Sequence, residues 1–153
     1  PASFFATKAP DFRLGFEAMR VLNDPQKVPA DAKVLFFPEA RTFWADREVI
    51  AWTPFDRSVM EEIVAKASSP EDVAASLKAL GVTHVLVNYA EIGRLLRTGD
   101  YVFDGRARTY ILDGFNWPLY QAFEQRCLER VASFGPEGQR PAIVICRLAG
   151  ARG

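Results

Sequence analysis

Histidine is nearly absent from this sequence, cysteine is scarce, and neither sign of charge is in excess. A single His among 153 residues excludes a His-rich metal site. The two cysteines, Cys127 and Cys146, belong to no CxxC and no Cys/His cluster, which leaves no zinc or redox motif. They read as two buried thiols. A disulfide between them needs an oxidising compartment, and spacing does not decide it. Nineteen basic residues cancel nineteen acidic ones, so no electrostatic footprint for nucleic acid or an anionic membrane is present. No run reaches the roughly 18–20 apolar residues of a membrane helix.

Several motifs are missing as well. There is no GxGxxG and no GxxxxGK[ST], and the residues after the first strand, PEARTF, lack the glycines that let a backbone approach a pyrophosphate. There is no GxSxG elbow. No cofactor and no metal are therefore expected. His84 lies inside VTHVLVN rather than at its end, and reads as a core residue with one hydrogen-bond partner. No Ser or Cys adjoins it to form a nucleophile–base pair. Glu61/Glu62 and Glu71/Asp72 read as helix-dipole complements in first turns.

What is present is ordinary globular chemistry. Hydrophobic residues make up 49% and charged residues 25%, and the length suits a single domain over residues 1–153. Twelve Phe and three Trp supply a core. Phe4, Phe5 and Trp44 are equally suited to cover a neighbour. The first residue is Pro rather than Met, and the chain reads as an excised piece of something longer.

The best-specified stretch is SPEDVAASLKALGVTHVLVNY, Ser69–Tyr89. Ser69 is an N-cap, Pro70 occupies the first helical position, and Asp72 falls three residues after the cap. Val73, Leu77 and Leu80, with Ala74, form one apolar face. Gly81 can end the helix in a left-handed conformation. The following VTHVLVN is apolar on both faces, as a strand covered on both sides must be.

Earlier in the chain, Asp11 caps a helix over Phe12–Asn23, with Leu14, Ala18, Val21 and Leu22 inward. KVLFF (Lys33–Phe37) is the first strand and VIAWT (Val49–Thr53) the second. Between them, Glu39–Asp46 has room for a turn or two of helix. Thr53–Asp56 and Ser58/Glu61 each offer a capping box to a helix ending near Lys66, striped by Val59, Met60, Ile63 and Val64.

Later, Tyr89–Arg97 forms an amphipathic helix with Ile92, Leu95 and Leu96 inward. The Gly-rich stretch that follows is mostly loop. Asn116 and Pro118 start a helix on which Leu119, Phe123 and Cys127 share a face. Leu128–Phe134 either continues that helix or begins a hairpin, PEGQRP turns, and AIVICRL (Ala142–Leu148) is the last strand. Alternating strands and helices predict an α/β fold, a Rossmann-like three-layer sandwich. Its small, mostly parallel sheet has order 2-1-3 plus the C-terminal strand in either direction, with helices on both faces.

In such sheets ligands collect beyond the carboxyl ends of the strands, where strand order switches. That rim is Pro38, Glu39, Arg41 and Trp44, then Thr53 and Asp56, then Asn88, Tyr89 and Glu91. Glu39, Arg41, Asn88 and Tyr89 are the candidate ligand-binding residues. The structural alternative is that Glu39 and Asp56 serve helix starts, while Asn88 and Tyr89 satisfy loop backbone. No catalytic residue is assigned.

Four segments carry a family likeness: Val21–Asn23, Lys33–Phe37, Glu39–Arg47 and Gly81–Asn88. In that order they resemble the soluble C-terminal region of multispanning bacterial membrane proteins related to dolichyl-phosphate-mannose–protein mannosyltransferases, in the glycosyltransferase C superfamily. The likeness covers residues 12–97 and, loosely, the last strand. It implies a membrane-anchored glycosyltransferase as parent, with this domain on the extracytoplasmic, periplasmic side. The family's catalytic acidic residues lie in a loop between membrane spans that this chain does not contain. The implied partners are the transmembrane part of the parent and an acceptor or lipid-linked sugar, with no nucleic acid. Two other readings stay open: a free-standing nucleotide-sugar or sugar-phosphate binder, and a protein-interaction module.

Overall fold

A computed structural model describes residues 10–39, 41, 42, 44–51, 57–98, 101–103, 106–108, 112 and 114–150. The elements, in order, are α1 (Pro10–Asn23), β1 (Lys33–Phe37), β2 (Glu48–Ile50), α2 (Val59–Lys66), α3 (Pro70–Ala79), β3 (His84–Asn88) and α4 (Tyr89–Thr98). A hairpin of β4 (Tyr101–Phe103) and β5 (Arg106–Arg108) follows, then α5 (Trp117–Cys127), β6 (Leu128–Phe134) and β7 (Ile143–Leu148).

One five-stranded sheet, β2-β1-β3-β7-β6, organises the fold. The β2-β1-β3 half is parallel, and α2 and α3 carry the chain from β2 across to β3. The other half is antiparallel: β7 runs against β3, and β6 runs against β7. The sheet is thus mixed rather than mostly parallel. The reason is local, because α5 passes directly into β6 and a short turn returns the chain as β7, which closes a hairpin instead of a crossover.

Alternation along the central strands divides the interior in two. Leu35, Phe37, Val85, Val87, Val144, Cys146 and Leu148 point to one face, where they meet Met60 and Val64 of α2, Val73 and Leu77 of α3, and Tyr120 and Phe123 of α5. Val34, Phe36, Leu86, Ile143 and Ile145 point to the other, where Ala18, Met19 and Leu22 of α1 cover them. Each such side chain contributes about 1.5–3 kcal/mol when fully buried, so β1, β3 and β7 anchor the fold.

The caps form as their sequences dictate. Ser69 accepts from the Asp72 backbone N–H at 3.1 Å, and Gly81 adopts φ +77°. Ser58 and Glu61 make a reciprocal capping box. Glu61 also accepts from the backbone N–H of Leu112 at 2.7 Å, so one carboxylate serves a helix start and a distant turn. The second capping box, Thr53–Asp56, lies outside the described residues.

Other expectations are corrected. α1 starts at Pro10, so Asp11 lies within it rather than before it. β2 spans Glu48–Ile50, starting one residue earlier than predicted and ending sooner. No helix occurs among the described residues of Glu39–Asp46, because the Glu39 side chain engages Arg41 instead of starting a turn. Leu80, which caps the end of α3, and Leu96 are exposed (43% and 57%) rather than inward. The Gly-rich stretch holds the β4–β5 hairpin in addition to loop.

The two cysteines are buried free thiols. Cys127 accepts from the Ala149 backbone N–H, which sets it three ladder positions from Cys146. At about 3.3 Å per residue that is about 10 Å, beyond the roughly 7 Å a disulfide spans. Burial pushes the Cys146 thiol up to about 11 and also raises Cys127, so neither is an activated thiolate.

Candidate functional site

The carboxyl ends of β1 and β3 lie side by side, Phe37 opposite Val87. Glu39 leaves β1 two residues later, and Asn88 is the last residue of β3. This adjacency brings three of the four predicted residues together. Arg41 grips Glu39 in a fork, with Nε donating to Oε1 at 2.8 Å and Nη2 to Oε2 at 2.6 Å. The Arg41 backbone N–H donates to Oε1 at 2.9 Å, and Asn88 Nδ2 donates to Oε2 at 2.8 Å. Both carboxylate oxygens are therefore doubly hydrogen-bonded. Glu39 and Asn88 are buried, and the Arg41 side chain is 33% exposed.

Burial alone would raise the Glu39 pKa. The hydrogen bonds from the Arg41 side chain and backbone, the Arg41 charge and the Asn88 amide outweigh it and hold the carboxyl below its ordinary range. Glu39 is a fastener between two strand ends, charged at neutral pH.

Asn88 works in two directions. Its Oδ1 accepts from the Glu91 backbone N–H at 3.0 Å, which caps α4. The Tyr89 and Ala90 N–H groups both point to the Ala142 carbonyl, at 2.7 and 3.3 Å. The first amides of α4 are thus already used. The structural alternative holds for Asn88, which does satisfy backbone. For Glu39 it fails, because no helix starts there among the described residues.

Tyr89 joins the group by position rather than by bonding to it. It lines the same cleft as Arg41 and Asn88, while its ring packs against the α2/α3/α5 core and lies under the Arg140 guanidinium at 4.7 Å. That cleft is open, measures about 350 Å³, and is also lined by Leu14, Ala90, Glu91, Gly93, Arg94, Ala142 and Ile143. Arg94 was not a predicted site residue. It forks onto Glu91 through Nε at 2.8 Å and Nη2 at 2.5 Å, a pairing that its position three residues after Glu91 on a helix would have signalled.

A second hollow adjoins the first through Arg41 and Ile143, and Gly15, Met19, Glu39 and Trp44 border it. Here Phe16 and Trp44, 48% and 39% exposed, meet edge to face with centroids 6.3 Å apart. Thr53 and Asp56 lie outside the described residues.

The remaining polar clusters are structural. Asn23 donates to the Trp44 carbonyl at 2.6 Å and accepts from the Asp46 backbone N–H at 2.8 Å, while Arg47 donates to the carbonyls of Asn23 and Val28. Together they clamp the β1–β2 connection onto the end of α1. His84 is 1% exposed and shares a 2.8 Å hydrogen bond with Thr83 Oγ1. Burial, then the charges of Arg147 and Arg47, lowers its pKa, so it is a neutral core residue. Among the described residues no cluster of His, Cys, Asp and Glu could hold a metal ion. Compared with known proteins, the chain matches no family model, no curated protein and no solved structure.

Proposed function

We propose that this chain is a non-catalytic α/β domain of a polytopic, glycosyltransferase-like membrane protein, on the extracytoplasmic side. There it docks against the transmembrane part or positions an acceptor or lipid-linked sugar. Its plan is read as Rossmann-like, with the C-terminal hairpin added to a parallel 2-1-3 half and helices layered on both faces.

One observation carries the non-catalytic part. The buried rim carboxylate, Glu39, has both oxygens saturated by Arg41 and Asn88 and stays ionised. A general acid needs a proton to give, and a general base needs a free lone pair. Glu39 has neither, and positioning is the role left to this rim. The likeness supports the lineage, since Asn23, Glu39, Arg41 and Asn88 all fall in the segments that carry it. Glu39, Arg41 and Asn88 hold the strand ends together, and Asn23 ties the β1–β2 connection to α1, as a recurring scaffold would require.

The test has two parts. The reading frame upstream of Pro1 is expected to encode runs of about twenty apolar residues. Residues 1–153 alone are expected to fold and to transfer no sugar from a lipid-phosphate donor. Transfer by the isolated chain would sink the non-catalytic reading, and a frame without membrane spans would sink the lineage. The cleft favours a second reading, a free-standing sugar-phosphate or nucleotide-sugar binder. Its signature would be saturable nucleotide or sugar-phosphate binding lost in Arg41→Ala.

A further inference from the structure

Two buried polar atoms of α5 have no hydrogen-bond partner, the Tyr120 hydroxyl and Glu124 Oε1. The two residues lie four apart on one helix, so both side chains project from the same side of it. Tyr120 is 1% exposed and packs among Phe37, Phe115, Trp117 and Phe123. Glu124 is half-buried and makes no ion pair among the described residues. One of its oxygens thus lacks both water and a donor, which is costly while the group is charged. Burial accordingly raises its pKa above the ordinary 4.5, against the pull of the Arg140 and Arg130 charges.

Two remedies are open to such a carboxylate, a proton or a guanidinium. The titratable and charged groups that act around it are Tyr120 on α5, Arg130 on β6, Cys146 on β7 and Arg140 in the β6–β7 connection. Burial keeps the Tyr120 hydroxyl and the Cys146 thiol protonated at neutral pH, so only the two arginines bring charge. Arg130 lies opposite Cys146 in the ladder. Arg140 acts on Glu124 more strongly than Arg130 does. It is exposed, and its guanidinium lies 4.7 Å from the centre of the Tyr89 ring, on the first residue of α4. A cation–π contact and an ion pair are of similar strength at exposed sites. The protonation state of Glu124 is therefore enough to decide which of them Arg140 makes.

We infer that Glu124 and Arg140 form a proton-operated latch on the start of α4: with Glu124 neutral, Arg140 stays on the Tyr89 ring, and with Glu124 ionised it leaves the ring to pair with the carboxylate. The structure has the first arrangement. The proton exchanges with solvent, and no other group need change its charge. Ala142, two residues after Arg140, accepts from the Tyr89 and Ala90 N–H groups, so the β6–β7 connection holds α4 by backbone as well as by side chain. The latch alters the side-chain hold and leaves the backbone one. Tyr89, Ala90 and Ala142 all line the cleft, so the response to pH falls on its wall.

The experiment uses the whole 153-residue chain, labelled with ¹³C and ¹⁵N and titrated by NMR from mildly alkaline to mildly acidic pH. The Glu124 carboxyl carbon is expected to titrate with a midpoint above 4.5. The Tyr89 ring resonances and the Arg140 Nε signal are expected to follow that same midpoint. In Glu124→Gln the shared transition should be gone, with Arg140 on the ring at every pH. Arg140→Ala alters an exposed side chain, and it should raise the Glu124 midpoint further, because the ionised form loses its strongest positive neighbour. Arg130→Ala should raise it less. Three outcomes overturn the inference. One is that Glu124 titrates at or below 4.5. Another is that Tyr89 and Arg140 stay unmoved through the Glu124 transition, which would hand the carboxylate to Arg130. The third is that the Tyr89 transition persists unchanged in Glu124→Gln.

Discussion

Glu39 is the residue on which the rim depends. Removing one partner of a buried ion pair strands the other, at a cost of about 3–5 kcal/mol when both are fully buried. Arg41 is partly solvated, so Arg41→Ala is expected to cost less, about 2 kcal/mol. Urea unfolding would measure it, and the double variant Arg41→Ala/Glu39→Gln should recover part of the loss, because the stranded charge goes with its partner. The Glu39 contribution is present above the ordinary carboxyl value of 4.5 and is lost as pH falls through its lower folded value.

His84 adds a second acid-sensitive element. Its folded pKa is depressed, so below the ordinary 6.5 the unfolded chain takes up a proton that the folded chain resists. Stability therefore drops as pH falls below 6.5. Melting temperatures at pH 7, 6 and 5 should decline less steeply in His84→Gln than in the parent protein. Of these residues, His84 is legible as a core histidine because it sits within VTHVLVN, a run apolar on both faces, as a strand covered on both sides is. The Glu39–Arg41 fork is not, since two residues of an irregular segment carry no period that reveals whether they bond to each other.

Caps set the elements, and they differ in reach. Ser69 serves only its own helix, and Ser69→Ala is expected to cost about 1 kcal/mol. Glu61 holds the Ser58 backbone N–H at 2.9 Å and the Leu112 N–H at 2.7 Å, the latter on a residue forced to φ +78°. Glu61→Ala removes both bonds, so it should lower the melting temperature more than Ser69→Ala does. It should also speed amide exchange at Leu112, which a purely helical role would leave unchanged.

The sequence places α3 at both ends, α5 at its capped start and α2 at its end, to within about a residue, because capping is short-range chemistry; the start of α2, between two capping boxes, and the end of α5 stay open. The sequence leaves β6 open between helix and strand. LERVASF has a mixed pattern, and its strand state is decided by β7, which pairs with it across a bulge between Arg130 and Ala132. The β4–β5 hairpin was missed for a related reason: three-residue strands leave no measurable alternation.

Across the molecule, the 2-1-3 order of the parallel half matches the simplest Rossmann-like arrangement with right-handed crossovers. The mixed character of the sheet does not follow from that arrangement, since the direction of a final strand depends on whether the preceding connection is a turn or a crossover. Three of the four predicted site residues converge because adjacent parallel strands end at one level. Tyr89 departs from them because it lies one residue past the strand, where the helix start turns its ring to the opposite core.

The position of β7 has a consequence for how the chain is made. β7, which follows every other described strand in the chain, is inserted between β3 and β6; Ala142 just before it supplies the carbonyl that receives α4, and Ala142 and Ile143 line the cleft. Until those residues emerge, the nascent chain carries β3 as a bare edge and a rim with no floor. Synthesis from the N-terminus thus leaves this sheet and the cleft open until β7 emerges, and a chain halted before that point would hold neither.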